Sequence, residues 1–176
     1  MNSKALSYDD VLLAPQYSDI RSRAEIDMSI DLGNDLVLGL PVLSSPMDTV
    51  SEGDMAAALS KHGGTAVIHR YNTIQQQADI VTAAKTSNPN MTIGAAIGVT
   101  GDYINRAAVM SALDIDFLCV DVAHGHHILM REALEQLRIK FGRDIHIMAG
   151  NVASLSGIND LSDWGADSVR CNIGGG

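Results

Sequence analysis

The chain predicts an α/β fold whose parallel sheet curls toward a TIM (β/α)8 barrel, with about six of the eight strands inside these 176 residues. Three observations predict it. Six apolar, strand-like runs alternate with stretches of helical spacing, as parallel strands buried on both faces and joined by helical crossovers require. The runs recur every 20 to 30 residues or so, roughly the length a βαβ unit needs. Finally, Ser45, His69, Gly98, Asp121, Asn151 and Arg170 stand at the C-terminal ends of nearly all the runs. A barrel gathers such ends around one mouth, whereas a doubly wound sheet would concentrate them at one crevice where strand order reverses.

In chain order, residues 6–32 mix short apolar patches with charge and are expected to wrap the domain, 8–13 being able to begin a brief helix. A strand over 40–45 turns at Pro46, and Met55, Ala56 and Leu59 share a face of a helix over 52–62 that Gly63-Gly64 ends. Strand 65–69, helix 73–85 and strand 91–96 follow. Asp102 precedes a helix over 103–113, then comes strand 116–121. The helix over 128–141 has the clearest periodicity, with Leu134, Leu137 and Phe141 near one face. Strand 144–149, helix 155–164 and strand 168–171 complete the pattern.

Composition narrows the partners. The net charge of -9, with no Lys/Arg block, argues against a nonspecific nucleic-acid surface, because nothing offsets phosphate repulsion. A small anionic ligand is compatible with that charge, since backbone N–H groups and one or two cations can hold it locally. Cys119 and Cys171 both lie in apolar runs and are expected to be reduced core residues rather than a disulfide. The N-terminus has no apolar signal core and no run approaches the roughly 18 apolar residues of a membrane span, so a soluble, cytoplasmic protein is expected.

Several rim segments carry groups suited to ligands, each with a purely structural alternative. In Ser44-Ser45-Pro46-Met47-Asp48-Thr49-Val50, Met47 can cover a flat base while neighbouring polar groups hold its edge; otherwise Asp48 or Thr49 caps the next helix and Met47 packs the core. Residues 95–102 are small enough for close approach to a ligand, or form a loop in which Asp102 caps a helix. No Gly-x-Gly-x-x-Gly fingerprint occurs, so a nicotinamide cofactor would need a pocket unlike the Rossmann one.

Asp121-Val122-Ala123-His124-Gly125-His126-His127 has the residue types of a metal site but not its converging spacing. Asp121 is better suited to orienting a sugar hydroxyl or polar ring substituent, and the histidines to loop and cap roles. Asn151 can donate and accept at once, to a ligand or to its own loop. Arg170 at a sheet end needs an anion or hydrogen-bonding partner. Gly174-Gly175-Gly176 can offer N–H groups to phosphate or carbonyls to a monovalent cation, or form a flexible loop.

Taken together, Tyr8-Asp9-Asp10-Val11-Leu12-Leu13-Ala14-Pro15, Leu40-Pro41-Val42-Leu43-Ser44-Ser45-Pro46-Met47-Asp48-Thr49-Val50, Gly94-Ala95-Ala96-Ile97-Gly98, Asp121-Val122-Ala123-His124-Gly125 and Ala149-Gly150-Asn151-Val152 resemble the IMP dehydrogenase/GMP reductase family across essentially the whole chain. The resemblance implies a TIM barrel that binds a purine nucleotide and a nicotinamide cofactor. It maps nucleotide contacts to Ser45 and Met47, the nicotinamide-ribose aspartate to Asp121, a loop-supporting asparagine to Asn151 and a sheet-end arginine to Arg170. Gly174 and Gly176 match glycines whose carbonyls help hold potassium or another monovalent cation in the dehydrogenase branch. Asn172, on the cofactor side, stands where the family more often has glycine. The family's nucleophilic cysteine is expected beyond Gly176, and Cys171, inside a strand pattern, does not match it.

The dehydrogenase branch oxidises IMP to XMP with NAD through a cysteine-linked intermediate, whereas the reductase branch converts GMP to IMP and ammonia with NADPH. Ser44-Ser45-Pro46-Met47 and His124 look more like the dehydrogenase. The short stretch between His69 and Met91 leaves no room for a regulatory CBS module, a feature that leans toward the reductase. Residues 1–176 are accordingly expected to be the N-terminal portion of a single catalytic barrel domain, homotetrameric when complete or joined by a complementary C-terminal chain. A noncatalytic nucleotide-binding or assembly fragment is the remaining alternative. The 176 residues alone are expected to show negligible turnover; IMP oxidation or GMP reduction by the purified chain without a companion polypeptide would overturn that expectation.

Overall fold

Parallel strands laid side by side in sequence order dominate the computed structural model, which describes residues 8–171. These residues fall into two units, residues 8–27 and residues 28–171. The first contains two 3-10 turns, Tyr8–Asp10 and Arg23–Glu25, the latter capped by the Ser22 hydroxyl, which accepts from Ala24 N–H. The helix expected to begin at 8–13 is thus a single turn.

The second unit opens with a small antiparallel hairpin, β1 (Ile30–Asp31) and β2 (Val37–Leu38). Six parallel strands follow: β3 (Leu43–Ser44), β4 (Thr65–Ile68), β5 (Ile93–Ile97), β6 (Phe117–Asp121), β7 (His146–Val152) and β8 (Ser168–Cys171). Five helices alternate with them: α1 (Gly53–Ser60), α2 (Ile74–Ser87), α3 (Tyr103–Ser111), α4 (Ile128–Phe141) and α5 (Leu155–Asp163). The sheet order is β3-β4-β5-β6-β7-β8 with no reversal, giving an open, curled half-barrel. An order without reversal has no switch point, which distinguishes this fold from a doubly wound sheet.

Alternation along each strand divides the apolar residues into two cores. Ile68, Ile93, Ala95, Ile97, Leu118, Val120, Ile147 and Ala149 pack under the helices with Val81, Met110, Met130, Leu134, Leu137 and Leu161. Val67, Ala96, Phe117, Cys119 and Met148 form the inner core, joined by Leu36 and Leu38 from the hairpin. The hairpin, absent from the sequence-based expectation, therefore covers the inner face at the end where the strands begin.

Two glycines make the inner wall possible. Gly94 is the register partner of Phe117, and a Cβ there would lie 2.3 Å from the Phe117 ring. Gly150 is the partner of Arg170, and a Cβ there would lie 2.6 Å from Arg170 Cβ and 2.7 Å from its carbonyl oxygen. Each glycine thus gives its space to a large inward side chain on the next strand.

Register is pinned from the strand starts by two equivalent aspartates. Asp116 N–H donates to Ile93 O at 3.0 Å while its carboxylate accepts from Ile93 N–H at 2.8 Å. Asp167 repeats this with Ile147, both bonds being 2.8 Å, and also receives Arg138 and Arg143. Burial pushes both carboxyls up; around Asp167 the Ile147 N–H and Arg138 outweigh it and hold that carboxyl below the usual range, whereas Asp116 stays above it.

His146 joins the hairpin to the sheet. Its Nδ1 lies 2.9 Å from the Gly33 carbonyl, which can only accept, so Nδ1 carries the proton and Nε2 accepts from the Ser168 hydroxyl at 2.8 Å. This neutral imidazole is buried, and burial pushes its pKa below the ordinary 6.5, against the opposing pull of the Gly33 bond and Asp167. The unfolded chain therefore takes up a proton that the folded chain resists, and the stability His146 contributes is present above the ordinary 6.5 and lost as pH falls from there toward the lowered folded-state pKa. Urea midpoints measured from pH 7.5 to 5 are expected to fall on acidification, and His146→Gln to flatten that slope; an unchanged slope in the variant would show that His146 does not set it.

Candidate functional site

Of the residues singled out from the sequence, the C-terminal strand ends bring Asp121 and Arg170 into contact and place Asn151 on the strand between theirs. Asp121 ends β6 and Arg170 lies on β8, and both project to the inner face, where Arg170 Nη1 donates to Asp121 Oδ1. The same guanidinium nitrogen lies 3.7 Å from Cys119 Sγ, one turn of the strand deeper. Burial first, reinforced by Asp121 and only partly offset by Arg170, pushes the Cys119 thiol up to about 12. It is a protonated thiol at neutral pH and not a nucleophile. Cys171, expected in the core, is exposed at the end of β8, the edge strand, although Val169 on the same face packs against the helix-side core.

Asn151 sits one residue beyond Gly150, the register partner of Asp121. Its main chain is knitted to the loop after β6: Asn151 N–H donates to Val122 O at 2.8 Å, and Gly125 N–H donates to Asn151 O at 2.7 Å. Its side-chain Oδ1 is buried and finds no donor. The loop-supporting role belongs to its backbone, which leaves the amide side chain with an open acceptor.

Ser45 and Met47 lie on the loop between β3 and α1, and both are exposed. The structural alternative for this segment fails: α1 is capped at Glu52, not at Asp48 or Thr49, and Met47 is outside the core. Instead the loop is folded around Ser51, which is fully buried. Ser51 Oγ lies 2.7 Å from Ser44 Oγ and also donates to the Ser45 carbonyl, while Ser51 N–H donates to Met47 O at 2.8 Å. Glu52 makes no capping bond with its side chain; its carboxylate accepts from His69 Nε2 at 3.0 Å, and His69 Nδ1 accepts from Tyr71 N–H at 3.2 Å.

The next rim segments are braced from below by a network that the sequence did not disclose. Gln77 of α2 is fully buried and donates to the strand carbonyls of Ile68 and Ala96 at 3.1 and 2.9 Å. Its oxygen accepts from Arg106 of α3 at 3.0 Å, and Arg106 also reaches the Asn72 carbonyl and Asp102 carboxylate, each at 2.9 Å. Asp102 thus pairs with Arg106 rather than capping α3. Glutamine and arginine in amphipathic helices read as solvent-facing, so no pattern marks them as buried; only Thr73 and Gln76, which form a capping box at α2, carry a sequence signature here.

The histidines after β6 divide as loop and cap residues. His127 Nδ1 accepts from Leu129 N–H and caps α4, and His126 Nε2 lies 2.6 Å from Asp160 of α5. Among the described residues no three His, Cys, Asp or Glu side chains converge as a metal site, and no helix is long and apolar enough to cross a membrane. Asn172, Gly174 and Gly176 lie outside the described residues.

All three buried side-chain polar atoms that lack a partner among the described residues, Arg70 Nε, Asn72 Nδ2 and Asn151 Oδ1, belong to segments that follow or end strands at this mouth. Orphan groups cost free energy in a finished core and gather where a ligand can satisfy them. The molecule is thus of the parallel α/β barrel class whose binding chemistry lies at the C-terminal rim. A family model described as the IMP dehydrogenase / GMP reductase domain matches residues 5–176, and the chain belongs to that family.

The chain is 26% identical over 224 aligned positions to the inosine-5'-monophosphate dehydrogenase of Borreliella burgdorferi, with all of this chain and 55% of that protein covered. It is 31% identical over 176 positions to a GMP reductase of Vibrio vulnificus, covering 97% of this chain and 50% of the reductase. A Mesoplasma florum GMP reductase is 30% identical over 175 positions, with 98% and 53% covered. The chain spans about half the length of the curated relatives it matches.

Removal of one partner from the pair at the mouth leaves the other charge half-buried. Arg170→Met is expected to lower stability by about 1–3 kcal/mol in urea denaturation, and Asp121→Asn in that background to cost much less than Asp121→Asn alone. Additive effects in this double-mutant cycle would show that the pair is not energetically coupled.

Proposed function

We propose that this chain supplies most of the catalytic barrel wall of an NAD(P)-dependent purine nucleotide oxidoreductase, with IMP oxidation to XMP as the preferred reaction. The observation that carries the reading is the inner-wall pair in which Arg170 orients the Asp121 carboxylate, with the unsatisfied Asn151 Oδ1 one residue beyond Asp121's register partner on the next strand. The residues present fit a nicotinamide cofactor. Asp121 offers an acceptor to ribose hydroxyls and Asn151 an acceptor to an amide N–H, while Asn172 would border the same group. When bound, that cofactor takes up a hydride in the dehydrogenase direction and supplies one in the reductase direction.

In this reading Ser45 and Met47 receive the purine nucleotide. The Ser45 hydroxyl serves as a polar contact, and the Met47 thioether conforms to the flat base. The buried Ser51 hydroxyl and the Glu52–His69 pair keep their loop in place. Arg170 orients the Asp121 carboxylate as a hydrogen-bond acceptor, and Asn151 ties the rim after β7 to the loop after β6. The nucleophile is a cysteine beyond Gly176, whose thiolate adds at the second carbon of the purine; after hydride loss, water releases XMP. Neither Cys119 nor Cys171 serves in this role. Gly174 and Gly176 carbonyls hold potassium in the dehydrogenase reading, and the whole enzyme is a cytoplasmic homotetramer.

A second reading, GMP reduction to IMP and ammonia with NADPH, is favoured by one observation. The reductases of Vibrio vulnificus and Mesoplasma florum align over 176 and 175 positions, nearly residue for residue, whereas the dehydrogenase alignments run to 224 and 295 positions. The chain therefore lacks, relative to those dehydrogenases, an inserted stretch that the reductases do not require. The product of the complete coding sequence, assayed with IMP plus NAD and with GMP plus NADPH while the purine is followed directly, separates the two. XMP formation stimulated by potassium and lost in Arg170→Ala at preserved fold is the expected outcome. Exclusive GMP deamination would replace the first reading by the second, and wild-type kinetics in folded Arg170→Ala would remove Arg170 from the site.

A further inference from the structure

Asp121 is approached by two guanidinium groups, and only one of them belongs to the pair already described. Arg170 meets its carboxylate from the inner wall, whereas Arg70 Nη2 donates to its main-chain carbonyl at 3.2 Å. Arg70 follows β4, so its side chain must cross the end of β5 to reach β6. It does so over Gly98, where a Cβ would come 3.4 Å from Nη1 and 3.5 Å from Cζ. The Tyr71 ring centroid lies 5.7 Å from the guanidinium carbon. Among the described residues no carboxylate pairs with Arg70, and its Nε is buried without an acceptor.

An arginine at a rim ordinarily keeps its head in water and buries only its stem. Here the head is folded down across a neighbouring strand with one N–H unsatisfied, an arrangement that costs desolvation. What it achieves is specific. The carbonyl it holds belongs to the residue whose carboxylate Arg170 holds, so the backbone and side chain of Asp121 are fixed from different strands. The loop that follows is the one whose Val122 and Gly125 bond to Gly150 and Asn151.

We propose that Arg70 is a positioning residue for the nicotinamide cofactor: it pins the Asp121 main chain so that the carboxylate oriented by Arg170 stays where ribose hydroxyls are received. This rests on the reading of Asp121 given under Proposed function. It assigns Arg70 no contact with the purine nucleotide, whose loop is held by Ser51 and the Glu52–His69 pair.

Two substitutions separate positioning from packing. Arg70→Met keeps a stem over Gly98 and deletes every donor, whereas Arg70→Lys keeps a donor of similar reach. Two readouts on the 176-residue chain are needed: amide hydrogen exchange at Val122, Gly125 and Asn151 without ligand, and equilibrium binding of NADH, followed by its fluorescence, beside calorimetric binding of IMP. Arg70→Met is expected to speed exchange at the three amides several-fold and to weaken NADH binding by about tenfold, with IMP affinity unchanged and Arg70→Lys recovering most of both losses.

Unaltered exchange in Arg70→Met would overturn the brace whatever the ligands do. Equal loss of NADH binding in Arg70→Met and Arg70→Lys, or a parallel loss of IMP binding, would mark a packing role and overturn the proposal. Faster exchange in Arg70→Met with no NADH binding by the wild-type chain would reject the assignment of Asp121 to the cofactor, and the positioning role with it.

Discussion

The inner face of the curled sheet can be filled only if large and small residues meet across neighbouring strands, and this constraint organises the rest of the structure. Gly94 lies opposite Phe117, and Gly150 opposite Arg170. The first pairing closes an apolar layer near the strand starts, where Leu36 and Leu38 of the hairpin complete it. The second admits a guanidinium into the wall near the strand ends. The same geometric device thus produces a dry floor at one end and a charged mouth at the other, with Cys119 between them.

The two ends differ in how completely their polar groups are satisfied. At the strand starts, Asp116 and Asp167 exchange paired bonds with Ile93 and Ile147, and His146 uses both ring nitrogens. These groups set register and have nothing left to offer. At the strand ends, Arg70, Asn72 and Asn151 each retain a buried atom without a partner. The contrast matches the division of labour in parallel barrels, stability at one face and binding at the other. In this chain it is visible atom by atom.

Rigidity at the mouth comes from side chains anchored in helices rather than from the loops themselves. Gln77 reaches from α2 to two strand carbonyls and passes the connection to Arg106 of α3, which holds Asn72. Glu52, at the start of α1, spends its carboxylate on His69 rather than on its own helix. Loops carrying Ser45, Met47 and Arg70 are thereby referred to the covered face of the sheet. A binding site assembled from strand ends needs such second supports, because each loop contributes only one or two groups.

Much of this was legible in the chain itself. The repeated alternation of apolar runs and helical spacing placed all six parallel strands and all five helices to within a few residues, because both periodicities are local properties of the backbone. Residues at the strand ends were legible for the same reason: once the strands are placed, Ser45, Asp121, Asn151 and Arg170 must follow. The hairpin at 30–38 was not, since two-residue strands are too short to show a period. Nor were Gln77, Arg106 and the Ser51 hydroxyl, whose types predict exposure and whose burial depends on partners in other elements, 9 to 34 residues away for Gln77 and Arg106, or across a tight loop. Sequence alone determined the order of elements and which residues stand at the rim. Only the tertiary structure decided the pairing of Asp121 with Arg170 and Arg70 and the approach of Arg170 to Cys119, because those depend on which side chains the curl of the sheet brings together, and curl is a property of six strands and of no single one.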